Sequence, residues 1–276
     1  MKPEIRFTRF FSTDSAKAIK ADKFGYLNGI NYMAPHDTGG AGNLCPHSTA
    51  GCRALCLGMY SGQAAMVTDI EHGTNAVRES RVRKAQYFMN ERKAFMAEMT
   101  WHIKALAKQA KRKGKTLAIR PNGSTDINFA GVARRFPETQ FIDYTKSLQR
   151  VLDKKRPSNY HLTFSLSETN KAEALQALKA GFNVAVVFGH GQPRRYLGHD
   201  VIDGTLHDLR HLDPSPCIVG LDPKGAKAKA DQSANLEWKD SQYISEVVYD
   251  TLINMGYDGD KLEAVNWSLD VSVSSQ

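Results

Sequence analysis

The sequence predicts an α/β fold: a partial or irregular (β/α) barrel of mostly parallel strands, with a long helix after a cysteine-bearing loop. Three observations predict it. From residue 116 onward, short apolar runs alternate with helical stretches, and strand–helix repetition of this kind builds parallel sheets. The runs are near-continuously apolar, as strands buried on both faces are. Polar and charged residues gather where those runs end, the edge at which parallel sheets carry their sites.

The elements are read in order. Residues 5–11 read as a strand and residues 15–23 as a short helix. Residues 25–40 (GYLNGINYMAPHDTGG) are rich in turn formers, with a short strand over 31–33. Residues 43–58 (NLCPHSTAGCRALCLG) form a turning, non-periodic loop that holds Cys45, Cys52 and Cys56, three of the four cysteines. From about residue 75, Ala85, Phe88, Phe95, Met99, Ile103 and Leu106 recur at helical spacing, with a break near Asn90 and a stop at Gly114. Strands follow at Thr116–Arg120, Gln140–Thr145, 160–166, 183–188, 201–202 and 217–221. Helices lie between them at 126–135, 148–153 and Lys171–Lys179, and a closing helix is read at 241–255 before a frayed tail. No linker interrupts the 276 residues, so we read one domain: segment and cysteine loop over 1–60, βα core over 61–230, helix and tail over 231–276.

The formal net charge is +8, which allows a nucleic-acid partner but equally suits a solvated lysine-rich surface. No run is long and apolar enough to span a membrane, and residues 1–11 do not read as a signal segment. A cytoplasmic setting follows as the expectation. There, clustered cysteines read as metal ligands or redox groups, not disulfides.

Cys45, Cys52 and Cys56 are spaced C-x6-C-x3-C, looser than a zinc knuckle and better suited to a [4Fe–4S] cluster, with zinc as the alternative. Cys217 is the candidate fourth ligand; its spacing leaves open whether it reaches the other three, and an ordinary buried thiol is as good a reading. His47 is another candidate. Around the strand ends, Arg120, Asn122, Asp126, Asp143, Lys146, Asp203, Asp208, Arg210 and Lys224 are candidates for contacting a substrate or supporting the metal ligands. The blander readings are a helix cap at Ser124 or Thr125 and an internal ion-pair network through Asp208, Arg210 and Asp213.

A three-cysteine loop on a barrel-like sheet resembles the radical S-adenosylmethionine enzymes, whose [4Fe–4S] cluster keeps one iron open. Their loop is spaced C-x3-C-x2-C, and this chain departs from it at both intervals. Four segments, CPHSTAGCRALC (45–56), RPNGSTDI (120–127), VIDGTLHDLRHLDP (201–214) and IVGLDPKGAKAK (218–229), carry a second resemblance. They resemble a phage-borne family named after a mycobacteriophage gene product numbered eighty-eight. That resemblance implies a protein of the infected host cell with a cysteine-ligated cluster on a barrel-like fold, and it implies no reaction. Related members read Gly-Asp where this chain has Gly204-Thr205. Three functions are therefore expected in turn: an iron–sulfur protein in a redox or structural role, a zinc-stabilised nucleic-acid-binding protein, or a phage protein that binds a host factor.

Overall fold

The structure is a computed structural model that describes residues 2–189 and 191–230. The closing helix and tail read over 231–276 lie outside the described residues. Eight strands form one mostly parallel sheet: β1 (Tyr26–Ile30), β2 (Thr116–Arg120), β3 (Gln140–Thr145), β4 (Tyr160–Ser165), β5 (Val184–Val187), β6 (Arg195–Tyr196), β7 (His199–Asp203) and β8 (Ile218–Leu221). Their order is β1-β2-β3-β4-β5-β8-β7-β6. All neighbours pair in parallel except the β6–β7 hairpin. The first five strands lie side by side in chain order, so each crossover steps to the next position in one direction. Among the described residues β1 does not pair with β6. The sheet is open, and the expected barrel is met only in its coarser part, an α/β fold with a mostly parallel sheet.

The α-helices are α1 (Ala16–Asp22), α2 (Ala50–Ala54), α3 (Leu57–Tyr60), α4 (Ala76–Asn90), α5 (Arg92–Arg112), α6 (Ala130–Ala133), α7 (Leu148–Leu152), α8 (Lys171–Lys179) and α9 (Ala226–Ala230). The helical run after the cysteine loop is thus two helices, divided at Glu91, whose φ of −131° is not helical. The Asn75 side chain starts α4 by accepting from the Val77 and Arg78 N–H groups.

Strand alternation sorts the core. Leu117, Ile119, Phe141, Leu162, Phe164, Val184 and Val186 face the helices and join Phe88, Phe95, Met99 and Ile103 in one large cluster. Their neighbours point the other way and are smaller or polar: Ala118, Ala185 and Val219, with Asn28, His161, Thr163 and Tyr144 between them. That second face is covered by α1 and by the stretch that includes the 3-10 turn Arg210–Leu212.

Three expectations need correction. Residues 5–11 form no strand; they lie extended or turning, and only Ser12 bridges to Ile30. The strand expected at 31–33 is β1, five residues earlier. Gly29 there is not a turn residue: a Cβ on it would sit 2.9 Å from Leu106 Cδ1 and 3.0 Å from Ile119 Cδ1. It is glycine because α5 and the neighbouring strand come that close. The helix expected over 126–135 shrinks to α6, because Asn122, not Ser124 or Thr125, organises the chain before it. Its Oδ1 accepts from Thr125 Oγ1 and the Ile127 N–H.

Candidate functional site

The loop after β1, carrying the three cysteines, lies over the C-terminal ends of the strands. Cys45, Cys52 and Cys56 all border one cavity of about 340 Å³. Its other walls come from the ends of β2, β3, β4, β5, β7 and β8, through residues such as Arg120, Lys146, Ser167, Val187, Asp208 and Lys224.

The loop is locked there by distant partners. The segment 120–127 threads beneath it: the Gly123 N–H donates to the Asn31 carbonyl, Ser124 Oγ to the Met33 carbonyl and the Asp126 N–H to the Leu44 carbonyl. Cys52 sits on α2, a helical turn the sequence did not foretell. Thr49 caps it through its hydroxyl, which accepts from the Cys52 N–H. Glu168, just past β4, ties that turn down: Oε1 accepts from the Gly51 N–H at 2.8 Å and Oε2 from Thr49 Oγ1 at 2.8 Å. Burial resists ionisation of Glu168, but those hydrogen bonds and Lys146 outweigh it and hold its pKa below the ordinary value. Behind Cys56, Arg78 donates to the carbonyls of Met59, Ala64, Ile70 and Gly73, and Arg81 to that of Gly58.

Burial pushes the Cys45 thiol up to about 12 and the Cys56 thiol up to about 11. Backbone groups oppose this: the His36 N–H reaches Cys45 Sγ at 3.2 Å, and the Gly58 and Met59 N–H groups act on Cys56. As free thiols these groups are neutral at pH 7, and only a bound cation would hold them as thiolates. Among the described residues, no group of three His, Cys, Asp or Glu side chains is arranged to hold a single metal ion. His47, the other candidate ligand, is not among the residues bordering the cavity.

Cys217 stands apart. It lies at the N-terminal end of β8, 2 % exposed, against Ala185 and Val219. Four residues of strand, roughly 13 Å, separate it from the edge that forms the cavity. The charges that act on it are those of Asp213, Arg210 and Asp200, not of the other cysteines. The structure therefore does not bring Cys217 to the three, and β8 is the physical reason.

Of the strand-end candidates, Arg120, Asn122, Asp126, Lys146, Asp208 and Lys224 border the cavity. Arg120 Nη1 donates to Asp208 Oδ2 at 3.0 Å, and its guanidinium lies 4.8 Å over the Tyr144 ring. Asp126 pairs with Arg150 and accepts from the Lys146 N–H. Asp143, Asp203 and Arg210 do not border it. Asp143 is buried behind Asn122, Asp203 accepts from the Thr205 N–H, and Arg210 is buried beside Asp213. For Arg210 the internal ion pair is what the structure contains. Glu168 escaped the candidates because its partners lie 117 and 119 residues away and leave no local signature.

A mostly parallel open sheet with a cysteine-lined cavity at its C-terminal edge defines an open-sheet α/β protein. The chain belongs to the Gene product 88 family, a phage gene-product family, whose profile matches residues 9–238. No curated protein and no solved structure matches it.

Proposed function

We propose that the protein is a phage iron–sulfur protein that holds a [4Fe–4S] cluster on Cys45, Cys52 and Cys56 and uses the adjoining cavity to seat a small ligand. The observation that carries this reading is the convergence of three cysteines, and no fourth, on one cavity at the polar edge of the sheet. A cubane places each thiolate on a different iron, so its ligands stand wider apart than the roughly 4 Å that one tetrahedral ion with Zn–S bonds of about 2.3 Å demands. The N–H groups of His36, Gly58 and Met59 directed at Cys45 and Cys56 supply the sulfur hydrogen bonds that tune such centres.

With three protein ligands, such a cluster keeps one iron able to bind a ligand directly, as in the radical S-adenosylmethionine enzymes. The order of parts is also theirs: first parallel strand, cysteine loop, then βα units, on what we read as an open, barrel-like sheet. The chain's own residues would orient that ligand. Arg120 is held by Asp208, and Lys146 and Lys224 present charge from the facing walls. We place this activity in the cytoplasm of the infected host cell, where thiols remain reduced.

The test is iron, zinc and sulfide analysis of anaerobically purified protein, with absorption recorded near ~400 nm. Iron and sulfide are expected together; they should be lost in Cys45→Ala, Cys52→Ala and Cys56→Ala and retained in Cys217→Ala. Stoichiometric zinc without iron would overturn the proposal and favour a zinc-stabilised protein. Loss of iron in Cys217→Ala, with the fold intact by circular dichroism, would overturn its three-cysteine form.

A further inference from the structure

The cavity's charge is not balanced by its own residues. Among the described residues, five cationic side chains border it (Lys20, Arg53, Arg120, Lys146 and Lys224), against three carboxylates, Asp126, Asp208 and Asp222. Two of those carboxylates are already committed, Asp208 to Arg120 and Asp126 to Arg150. Lys146 is one of the bordering cations with no carboxylate partner among the described residues. It is half-buried at the end of β3 and donates to Ser165 Oγ at 2.9 Å, and it forms no ion pair among the described residues. Glu168 is close enough to feel it but is occupied by Thr49 and Gly51.

The same cavity is bordered by an unmet hydroxyl. Ser167 is 2 % exposed, and its Oγ has no hydrogen-bond partner among the described residues. Buried hydroxyls in native proteins nearly always have a partner, so one left without a protein partner is a place that an ordered water or a bound molecule can complete. Lys146 has two further N–H donors, Ser165 still has its own O–H to give, and Ser167 has both functions free. Lys146 and Ser165 hold donors at one place, and Ser167 borders the same cavity with its hydroxyl uncommitted among the described residues. The remaining walls are largely apolar, through Leu55, Leu57, Leu166, Val187, Leu221 and Pro223. A pocket of this volume takes one small molecule, not a polymer strand.

We propose that Lys146, Ser165 and Ser167 form an anion subsite, and that the cavity's ligand is a small molecule with an apolar body and one anionic oxygen group, a carboxylate or a phosphate. This subsite shares the cavity with the proposed cluster but is built wholly from side chains of β3, β4 and the turn after β4. It deepens the ligand-seating half of the proposed function without requiring iron.

The experiment is a thermal-shift and calorimetric titration with inorganic phosphate and, separately, with acetate, at constant ionic strength set by chloride. It is run on iron-free and on cluster-reconstituted protein, with iron content measured in each. Stabilisation by phosphate alone assigns a phosphate group, and by acetate alone a carboxylate. In either case Lys146→Met and Ser167→Ala should each weaken binding about tenfold, whereas Lys108→Met on the solvated face of α5 should not. The proposal is overturned if neither anion binds the native protein, or if binding is unchanged in both Lys146→Met and Ser167→Ala. Anion binding that persists in protein unable to take up iron would sink the cluster reading and leave the subsite standing. Iron uptake without anion binding would do the reverse.

Discussion

Asp143 lies on β3 beneath the turn that carries Asn122, and its carboxylate accepts three hydrogen bonds: from the Asn122 N–H at 3.0 Å, Asn122 Nδ2 at 2.8 Å and Tyr160 Oη at 2.6 Å. Burial nonetheless outweighs these donors and pushes its pKa from 3.8 up to about 6. The folded state therefore holds an extra proton between those two values. The stabilisation from that proton is full below about pH 4 and is lost as pH rises through about 6. Asp143→Asn removes this dependence. Chemical denaturation should find the variant less stable than the native protein, with the deficit largest near pH 4 and smaller at pH 7 by on the order of 2 kcal/mol. His161 and His211 act with the opposite sign, since burial holds both down to about 4, and their contribution is lost as pH falls from 6.5 through that value. His161→Gln should therefore remove one source of stability loss on acidification through pH 6 to 4, measurable in the same titration.

The cysteine loop shows how elements depend on single contacts. Gly58 follows Cys56 by two residues, and a Cβ there would meet Ser124 Cβ at 2.8 Å and Pro35 Cγ at 3.1 Å, both stiff groups. Gly58→Ala should cost about 1–3 kcal/mol by overpacking and lower iron uptake in reconstitution, because α3 must move and carries Cys56 with it. Glu168→Gln should keep the Thr49 or the Gly51 contact but not both at full strength. We expect normal thermal stability within about 1 kcal/mol, with faster alkylation of Cys52 in the iron-free protein, read by mass spectrometry. Sequence reading found the βα core because Thr116–Arg120, Gln140–Thr145 and Lys171–Lys179 carry their periodicity locally. It misplaced β1 because Gly29 looks like a turn and is a close contact, a distinction that only the partner helix makes. It found the strand-end candidates that line the cavity, since parallel strands put polar residues at one edge. It missed Glu168, and it gave the arginines of α4 no role, because their acceptors are loop carbonyls with no residue signature.

At the scale of the molecule, the two ends of the parallel sheet are chemically distinct. The C-terminal edge carries three half-buried cysteines and the cavity; the N-terminal edge carries Cys217, closed off from solvent. In iron-free protein, Cys45, Cys52 and Cys56 should be alkylated under native conditions on raising the pH. Cys217 should react only with the midpoint of global unfolding in a denaturant series, followed by mass spectrometry. Reaction of Cys217 well before that midpoint would mean that β8 opens independently of the sheet.

The ties that seat the cysteine loop have a further consequence, in time. The partners of Leu44, Cys45 and Gly51 are Asp126, Ser124 and Glu168, so the loop's holding groups are made long after the loop itself. At about 5–20 residues per second, a ribosome takes on the order of ten seconds to get from Cys45 to Glu168. For that interval the three thiols lack the ties to Ser124, Asp126 and Glu168, and only nearer groups such as Arg78 and Arg81 hold the chain behind Cys56. They can be gathered only once β4 has joined the sheet, which makes any metallation of this protein a late step of its synthesis.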